Sequence, residues 1–159
     1  MDTKIKVIAF DIDGTLTDGS IYIGSEGEAL KVFNVKDGYG IKAAQKAGLQ
    51  IFFITGRPAY SPTIARLKDL EIDLKFLKDK VKNKVECASQ ILESLNLSFA
   101  QMAFMGDDIP DLELLKKVGF AGAPKDATAE ILNCVHFVSK FKAGHGAARE
   151  FTDIILKEN

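Results

Sequence analysis

Val7-Ile8-Ala9-Phe10-Asp11-Ile12-Asp13-Gly14-Thr15-Leu16 is an apolar, β-rich run that stops abruptly on two carboxylates, a glycine and a hydroxyl. Apolar residues in unbroken succession suit a strand buried on both faces of a parallel sheet, and side chains at i and i+2 leave a strand on the same side. Asp11 and Asp13 therefore converge at the end of that strand. Two close carboxylates repel, an arrangement made tolerable by a cation between them or by a proton kept on one. Hard oxygen ligands favour Mg²⁺. The plainer reading of the same letters is a turn at Asp13-Gly14-Thr15 with an aspartate cap.

Outward from that stretch, apolar β-type runs alternate with helical patterns. Lys6–Phe10, Gln50–Ile54, Leu74–Leu77, Met102–Met105 and Gly119–Ala121 read as strands. Segments near Gly38–Ala47, Pro62–Leu70, Lys84–Leu95, Asp111–Lys117, Ala127–Leu132 and Gly146–Leu156 read as helices. Ser61-Pro62 has the form of a helix start, with serine as N-cap and proline in the first turn. Val85, Ala88, Ile91, Leu92 and Leu95 recur at helical spacing and form an amphipathic stripe. Such alternation implies an α/β fold, a doubly wound parallel sheet with helices on both faces. Ile21-Tyr22-Ile23 and Leu30–Val35 break the rhythm. They flank the glycine-bounded turn Gly24-Ser25-Glu26-Gly27 and read as a β-hairpin standing beside the acidic turn as a flap.

At 159 residues the chain fits one domain, spanning 1–159. Hydrophobic residues at 47% and charged residues at 27% suit a globular fold. With 21 Lys plus Arg against 22 Asp plus Glu, no excess charge points to nucleic acid or an anionic membrane surface. No apolar run approaches the roughly 20 residues of a membrane span, and Met1-Asp2-Thr3-Lys4 opens no apolar leader. A cytoplasmic location is expected. Cys87 and Cys134 lie outside any paired-cysteine spacing and read as buried, reduced thiols.

In an open parallel sheet, function gathers at the carboxyl ends of the strands near a topological switch point. Asp11-Ile12-Asp13-Gly14-Thr15 follows the first strand and Thr55-Gly56-Arg57 the second. Gly106-Asp107-Asp108-Ile109-Pro110-Asp111 follows the fourth, and Lys84 opens the helix after the third. These are the parts that phosphoryl transfer needs. Asp11 is the candidate nucleophile, accepting the phosphoryl group as an aspartyl-phosphate. Asp13 is the candidate acid for the leaving alkoxide and base for the attacking water. Asp107 completes the metal shell with Asp11 and Asp13, while Thr55 and Lys84 hold the transferring group. Taken singly each signal is weak: Thr55-Gly56-Arg57 also reads as a strand-ending turn, Lys84 as part of a solvated lysine run, and Asp107-Asp108 as helix caps.

Together these motifs resemble the haloacid dehalogenase superfamily, whose signature is DxDGT after the first strand, Thr or Ser after the second, a later Lys and an acidic motif after the fourth. The resemblance implies that Mg²⁺ is held by Asp11, the backbone carbonyl of Asp13, and Asp107. Cap modules in that superfamily are inserted between these motifs. Here the stretch from Asp13 to Thr55 is filled by the hairpin and a helix, and that from Thr55 to Lys84 is shorter still, so no cap domain fits. Within the superfamily the chain is similar to the capless sugar-acid phosphatases, above all those acting on 3-deoxy-D-manno-octulosonate 8-phosphate. The segments concerned are Asp18-Gly19, Phe33-Asn34-Val35-Lys36-Asp37-Gly38-Tyr39-Gly40, Thr55-Gly56-Arg57, Asn83-Lys84 and Gly144-His145-Gly146-Ala147-Ala148-Arg149-Glu150.

That similarity implies a homotetramer in which neighbours' hairpins and C-terminal segments close the site. It also implies a phosphorylated sugar-acid substrate, with Gly56, Arg57 and Arg149 among its binding residues beside Thr55 and Lys84. A guanidinium suits a carboxylate bidentately. His136, Tyr39, Met102 and Met105 read as packing residues. Two alternatives remain open: a phosphatase for a nine-carbon sugar acid 9-phosphate, and, more remotely, a phospho-receiver signalling domain. Receivers place their phospho-acceptor after the third strand, which argues against the second.

Overall fold

The computed structural model describes residues 4–159, so Met1-Asp2-Thr3, read above as carrying no leader, lie outside the described residues. Its main sheet has six strands. They are β1 (Val7–Phe10), β4 (Gln50–Ile54), β5 (Leu77–Lys78), β6 (Met102–Met105), β7 (Phe120–Ala123) and β8 (Phe137–Val138), in the order β5-β4-β1-β6-β7-β8. Every pairing in it is parallel. A separate antiparallel hairpin, β2 (Tyr22–Gly24) with β3 (Gly27–Leu30), follows β1 and joins no main strand. The helices are α1 (Val35–Lys46), α2 (Ser61–Asp69), α3 (Lys84–Ser94), α4 (Leu112–Leu115), α5 (Ala129–Leu132) and α6 (Ala147–Glu158).

The sheet splits its side chains by the period-2 rule. Ile8, Phe10, Ile51, Phe53, Ala103 and Met105 pack on one face with Ile41 and Ala44 of α1, Leu67 of α2, and Phe151 and Ile155 of α6. Val7, Ala9, Phe52, Ile54, Met102 and Phe104 pack on the other with Ala88, Ile91 and Leu92 of α3, Leu114 and Leu115 of α4, and Ile131 of α5. Burial on both faces is why these strands are written as continuous apolar runs. β1 lies between β4 and β6, with the chain moving outward to one side and then to the other. The order therefore reverses at the carboxyl end of β1, where such folds hold their ligands. Among the described residues no cap module is inserted, and no helix is long and apolar enough to cross a membrane.

Several boundaries differ from expectation. Leu74–Phe76 is a 3-10 turn capped by Asp73, and the strand there is Leu77–Lys78 alone. The hairpin's second strand ends at Leu30 rather than Val35. Asn34 caps α1 by accepting the Lys36 N–H, so the helix starts at Val35, ahead of Gly38. Tyr60 precedes α2 without a side-chain cap, and Ser61 is its first residue, with no capping role. Cys87 and Cys134 are free but half-buried. Tyr39 is mostly exposed, whereas Met102 and Met105 are fully buried. His136 is structural as read: its Nδ1 accepts the Ala121 N–H at 2.9 Å and its ring stacks on Phe120.

Candidate active site

Asp11 is carried out of β1 while still tied to the sheet, its N–H donating to the Met105 carbonyl at 3.0 Å. The chain then turns so sharply that Thr15, Leu16 and Thr17 all donate backbone N–H groups to the Ile12 carbonyl. Gly14 sits in that turn at φ +90°, and a Cβ there would overlap the Asp107 carboxylate, so glycine is required on two counts. The Thr15 hydroxyl donates to Asp107 Oδ1 at 2.9 Å, joining the loop after β1 to the loop after β6.

Thr55 leaves β4 with its N–H on the Lys78 carbonyl, and its Oγ1 accepts the Arg57 N–H at 3.3 Å. Lys84 is the first residue of α3, whose preceding Asn83 accepts the Glu86 N–H as N-cap. Its buried ammonium bridges Asp11 Oδ1 and Asp111 Oδ1, both at 2.6 Å. Asp111 Oδ2 in turn accepts the N–H groups of Asp107 and Asp108. A Cβ on Gly106 would collide with the Asp111 carboxylate, so this close approach also needs glycine.

Electrostatics here favour a cation. Burial, then the nearby Asp111 carboxylate, push Asp11 up to about 8 against the pull of Lys84. Burial and Asp111 likewise push Asp107 up to about 6, although the Thr15 hydrogen bond opposes this. Burial alone would lower Lys84, but Asp11 and Asp111 outweigh it and hold its ammonium above the ordinary range. One lysine thus leaves a negative surplus that a divalent ion would neutralise. Asp11, Asp107 and Asp111 each offer an oxygen within 4.8 Å of the others, an all-oxygen set that fits Mg²⁺.

A cleft of about 180 Å³ brings Asp11, Asp13, Thr55, Gly56, Arg57, Lys84, Asp107 and Asp111 together. Arg149 is not among its lining residues. The N-terminus of α6 is pinned by Asp37, which accepts the N–H groups of Gly146 and Arg149, and the Arg149 guanidinium is engaged by Asp153 and lies 4.6 Å over the Tyr39 ring. Within its own chain Arg149 therefore does not reach the cleft. His145 is likewise turned to the Ala143 carbonyl. The reading of the sequence gave no role to Asp111, Glu28 or Lys31. Glu28 and Lys31 come from the hairpin: Lys31 Nζ lies 2.7 Å from Asp13 Oδ1, and Glu28 Oε2 lies 2.9 Å from Arg57 Nη2. Only the glycine before Asp107 and the spacing of Asp107 to Asp111 hinted at Asp111.

A DxDGT loop at the switch point of a doubly wound sheet, with lysine and a second acidic loop closing on it, is the architecture of a phosphoryl-transferring haloacid dehalogenase fold. Residues 76–151 match the family model described as haloacid dehalogenase-like hydrolase, and the chain belongs to that family. It is 36% identical over 153 residues to the 3-deoxy-D-manno-octulosonate 8-phosphate phosphatase KdsC of Escherichia coli K12, covering 96% of this chain and 80% of that one. The crystal structure of the Yersinia pestis 3-deoxy-D-manno-octulosonate 8-phosphate phosphatase superposes with TM-score 0.90 at 36% identity, covering 96% of this chain and 81% of that chain. The Moraxella catarrhalis enzyme, solved with magnesium, phosphate and KDO, gives TM-score 0.90 at 31% identity over 96% of this chain and 86% of that chain.

Proposed function

We propose that this chain hydrolyses 3-deoxy-D-manno-octulosonate 8-phosphate to the free sugar acid and phosphate, as a Mg²⁺-dependent phosphatase working through an aspartyl-phosphate. The observation that carries the reading is Asp11, with Oδ1 fixed by Lys84 at 2.6 Å and the acidic cluster beside it. Oδ2 of Asp11 attacks phosphorus while Lys84 keeps the carboxylate from rotating. Asp13 delivers a proton to the departing C8 oxygen, then removes one from the water that cleaves the aspartyl-phosphate. Thr55 and Lys84 donate to the phosphoryl oxygens, and Gly56 lets the backbone approach them. Arg57 meets the sugar acid's carboxylate. Asp11, Asp107 and the Asp13 carbonyl would hold Mg²⁺, with Asp111 beside them; when bound, the ion offsets negative charge on the transferring group.

The whole of 1–159 acts as one hydrolase domain, cytoplasmic and tetrameric. A cleft of about 180 Å³ falls short of the roughly 300–1,000 Å³ of complete small-molecule sites, which supports closure by neighbouring subunits. Exposed Ile21, Tyr22, Ile23, Leu30 and Val32 around the hairpin supply an apolar surface for that purpose.

Phosphate release is measured with Mg²⁺ from the octulosonate 8-phosphate, a nine-carbon sugar acid 9-phosphate and simple sugar phosphates. Strong preference for the octulosonate is expected. Equal or faster turnover of the nine-carbon ester would keep the chemistry and reassign the substrate.

A further inference from the structure

Four alternating charges run from the hairpin into the cleft. Lys31, just past β3, is buried, and its ammonium faces Asp13 Oδ1 at 2.7 Å, Glu28 Oε1 at 3.2 Å and Thr63 Oγ1 at 3.3 Å. The Thr63 contact is a hydrogen bond, and the two carboxylate contacts are ion pairs. Glu28, whose side chain is fully buried, turns its other oxygen to Arg57 Nη2 at 2.9 Å. With Asp13 ionised, the form that takes a proton from the attacking water, the row Asp13, Lys31, Glu28, Arg57 sums to zero charge, which makes its burial tolerable. At each end of the row one atom faces the opposite charge: Asp13 Oδ1 lies 2.7 Å from Lys31 as an ion pair, and Arg57 Nη2 donates to Glu28 Oε2 at 2.9 Å. Asp13 Oδ2 and Arg57 Nη1 are buried and make no hydrogen bond among the described residues; Asp13 Oδ1 and Glu28 Oε1 are likewise without one but meet Lys31 as ion pairs, and both Asp13 and Arg57 line the cleft. An orphaned polar atom in a folded protein calls for a missing partner.

We infer that Lys31 and Glu28 are positioning residues, gripping the rear atoms of Asp13 and Arg57 so that Asp13 Oδ2 and Arg57 Nη1 are the atoms presented to substrate. This rests on the reading of Asp13 as acid and base. In the first half-reaction the Oδ2–H bond breaks as its proton passes to the ester oxygen. The P–O bond breaks with its electron pair on that oxygen, and Asp11 Oδ2 bonds to phosphorus. Lys31 takes no part in the transfer; its ion pair fixes the carboxyl from which the proton departs. A hairpin staple without this role would use the same ion pairs but would be blind to the leaving group.

Leaving groups therefore provide the test. An alkoxide needs a proton to depart, whereas p-nitrophenolate does not. First-turnover release is followed in full-length Mg²⁺-loaded protein for the octulosonate 8-phosphate and for p-nitrophenyl phosphate, comparing Lys31→Met, Lys31→Arg and Asp13→Asn with the parent. Displacing a catalytic group by about 1 Å can cost on the order of 100-fold. Lys31→Met is expected to slow the sugar ester roughly 10- to 100-fold, with KM little changed and the aryl ester within a few-fold, and Lys31→Arg to recover most of the loss. Equal slowing of both esters by Lys31→Met, or no slowing of either, overturns the positioning role and leaves Asp13 untouched. If Asp13→Asn itself slows both esters alike, the acid role fails and the inference falls with it. Should Lys31→Met not fold, Lys31→Arg must show the same split in smaller measure, and a uniform loss there is equally decisive. Glu28→Gln is expected to raise KM for the sugar acid ester more than for the aryl ester; an equal change in both overturns the Arg57 half.

Discussion

Asp11 is asked to be a nucleophile where burial favours its neutral form, raising it to about 8. A protonated carboxyl is a poor nucleophile, so Lys84 and a bound cation must together restore the anion. Asp11→Asn removes the attacking oxygen and one charge from an overcrowded cluster. We expect turnover to fall by roughly 10³-fold or more while the melting temperature holds or rises, read by phosphate release and circular dichroism; retained activity would refute the nucleophile. Lys84→Met acts oppositely. It strands two buried carboxylates that share one ammonium, and breaking a buried pair from one side costs about 3–5 kcal/mol. Its expected signature is a lower melting temperature at neutral pH that added Mg²⁺ partly restores, and an unchanged melt would contradict the geometry.

The hairpin reaches inward with Glu28 and Lys31 and outward with apolar side chains, Ile23 being 70% exposed. A short strand pair that belongs to no larger sheet is marginal in water unless something packs on it. Ile23→Glu places a charge on that outer surface, across the strand pair from Glu28. We expect it to lower the assembly order in light scattering and to reduce turnover of the sugar ester; a monomeric parent, or an unaltered assembly in the variant, would remove the closure argument. Elements differ in how far their own letters dictate them. The runs 50–54 and 102–105 were legible because continuous apolar residues have few other uses, and the DxDGT turn because its letters are dictated locally. Leu74–Phe76 was not, since an apolar triplet suits a 3-10 turn as well as a strand and the cap at Asp73 decides between them. Gly38 and Gly40 suggest a later start for α1, but Asn34 sets that boundary by capping the helix. Asp13 pairs with Lys31 and Lys84 with Asp111 only through tertiary folding, so local pattern had nothing to say about Lys31, Glu28 or Asp111. Arg149 reads as a substrate ligand by motif, yet Asp153, one turn along the same helix, engages it.

The reversal of strand order at β1 gathers the loops after β1, β4 and β6 into one site, and the fold holds them together against their own repulsion. That repulsion ties stability to pH and to metal. Asp11 and Asp107, at about 8 and about 6, lie above their ordinary 3.8, so the folded protein keeps protons that the unfolded chain releases as pH rises from about 4. The folded state then binds more protons than the unfolded, and the metal-free protein loses stability as pH climbs through that window, with the penalty complete above about 8. Mg²⁺ must displace those same protons, so its apparent affinity grows over the same interval. Asp37, also raised by burial, shifts the metal-free curve in the same direction but lies outside the metal cluster. Subtracting melts taken with and without Mg²⁺ removes its contribution and that of every other group remote from the ion. Thermal melts of chelator-treated protein at pH 5, 6.5 and 8 should therefore show a Mg²⁺-induced rise in Tm that increases with pH. A rise that is constant, or larger at pH 5 than at pH 8, would mean that the carboxylates are ionised without the metal and that the cluster is not its site.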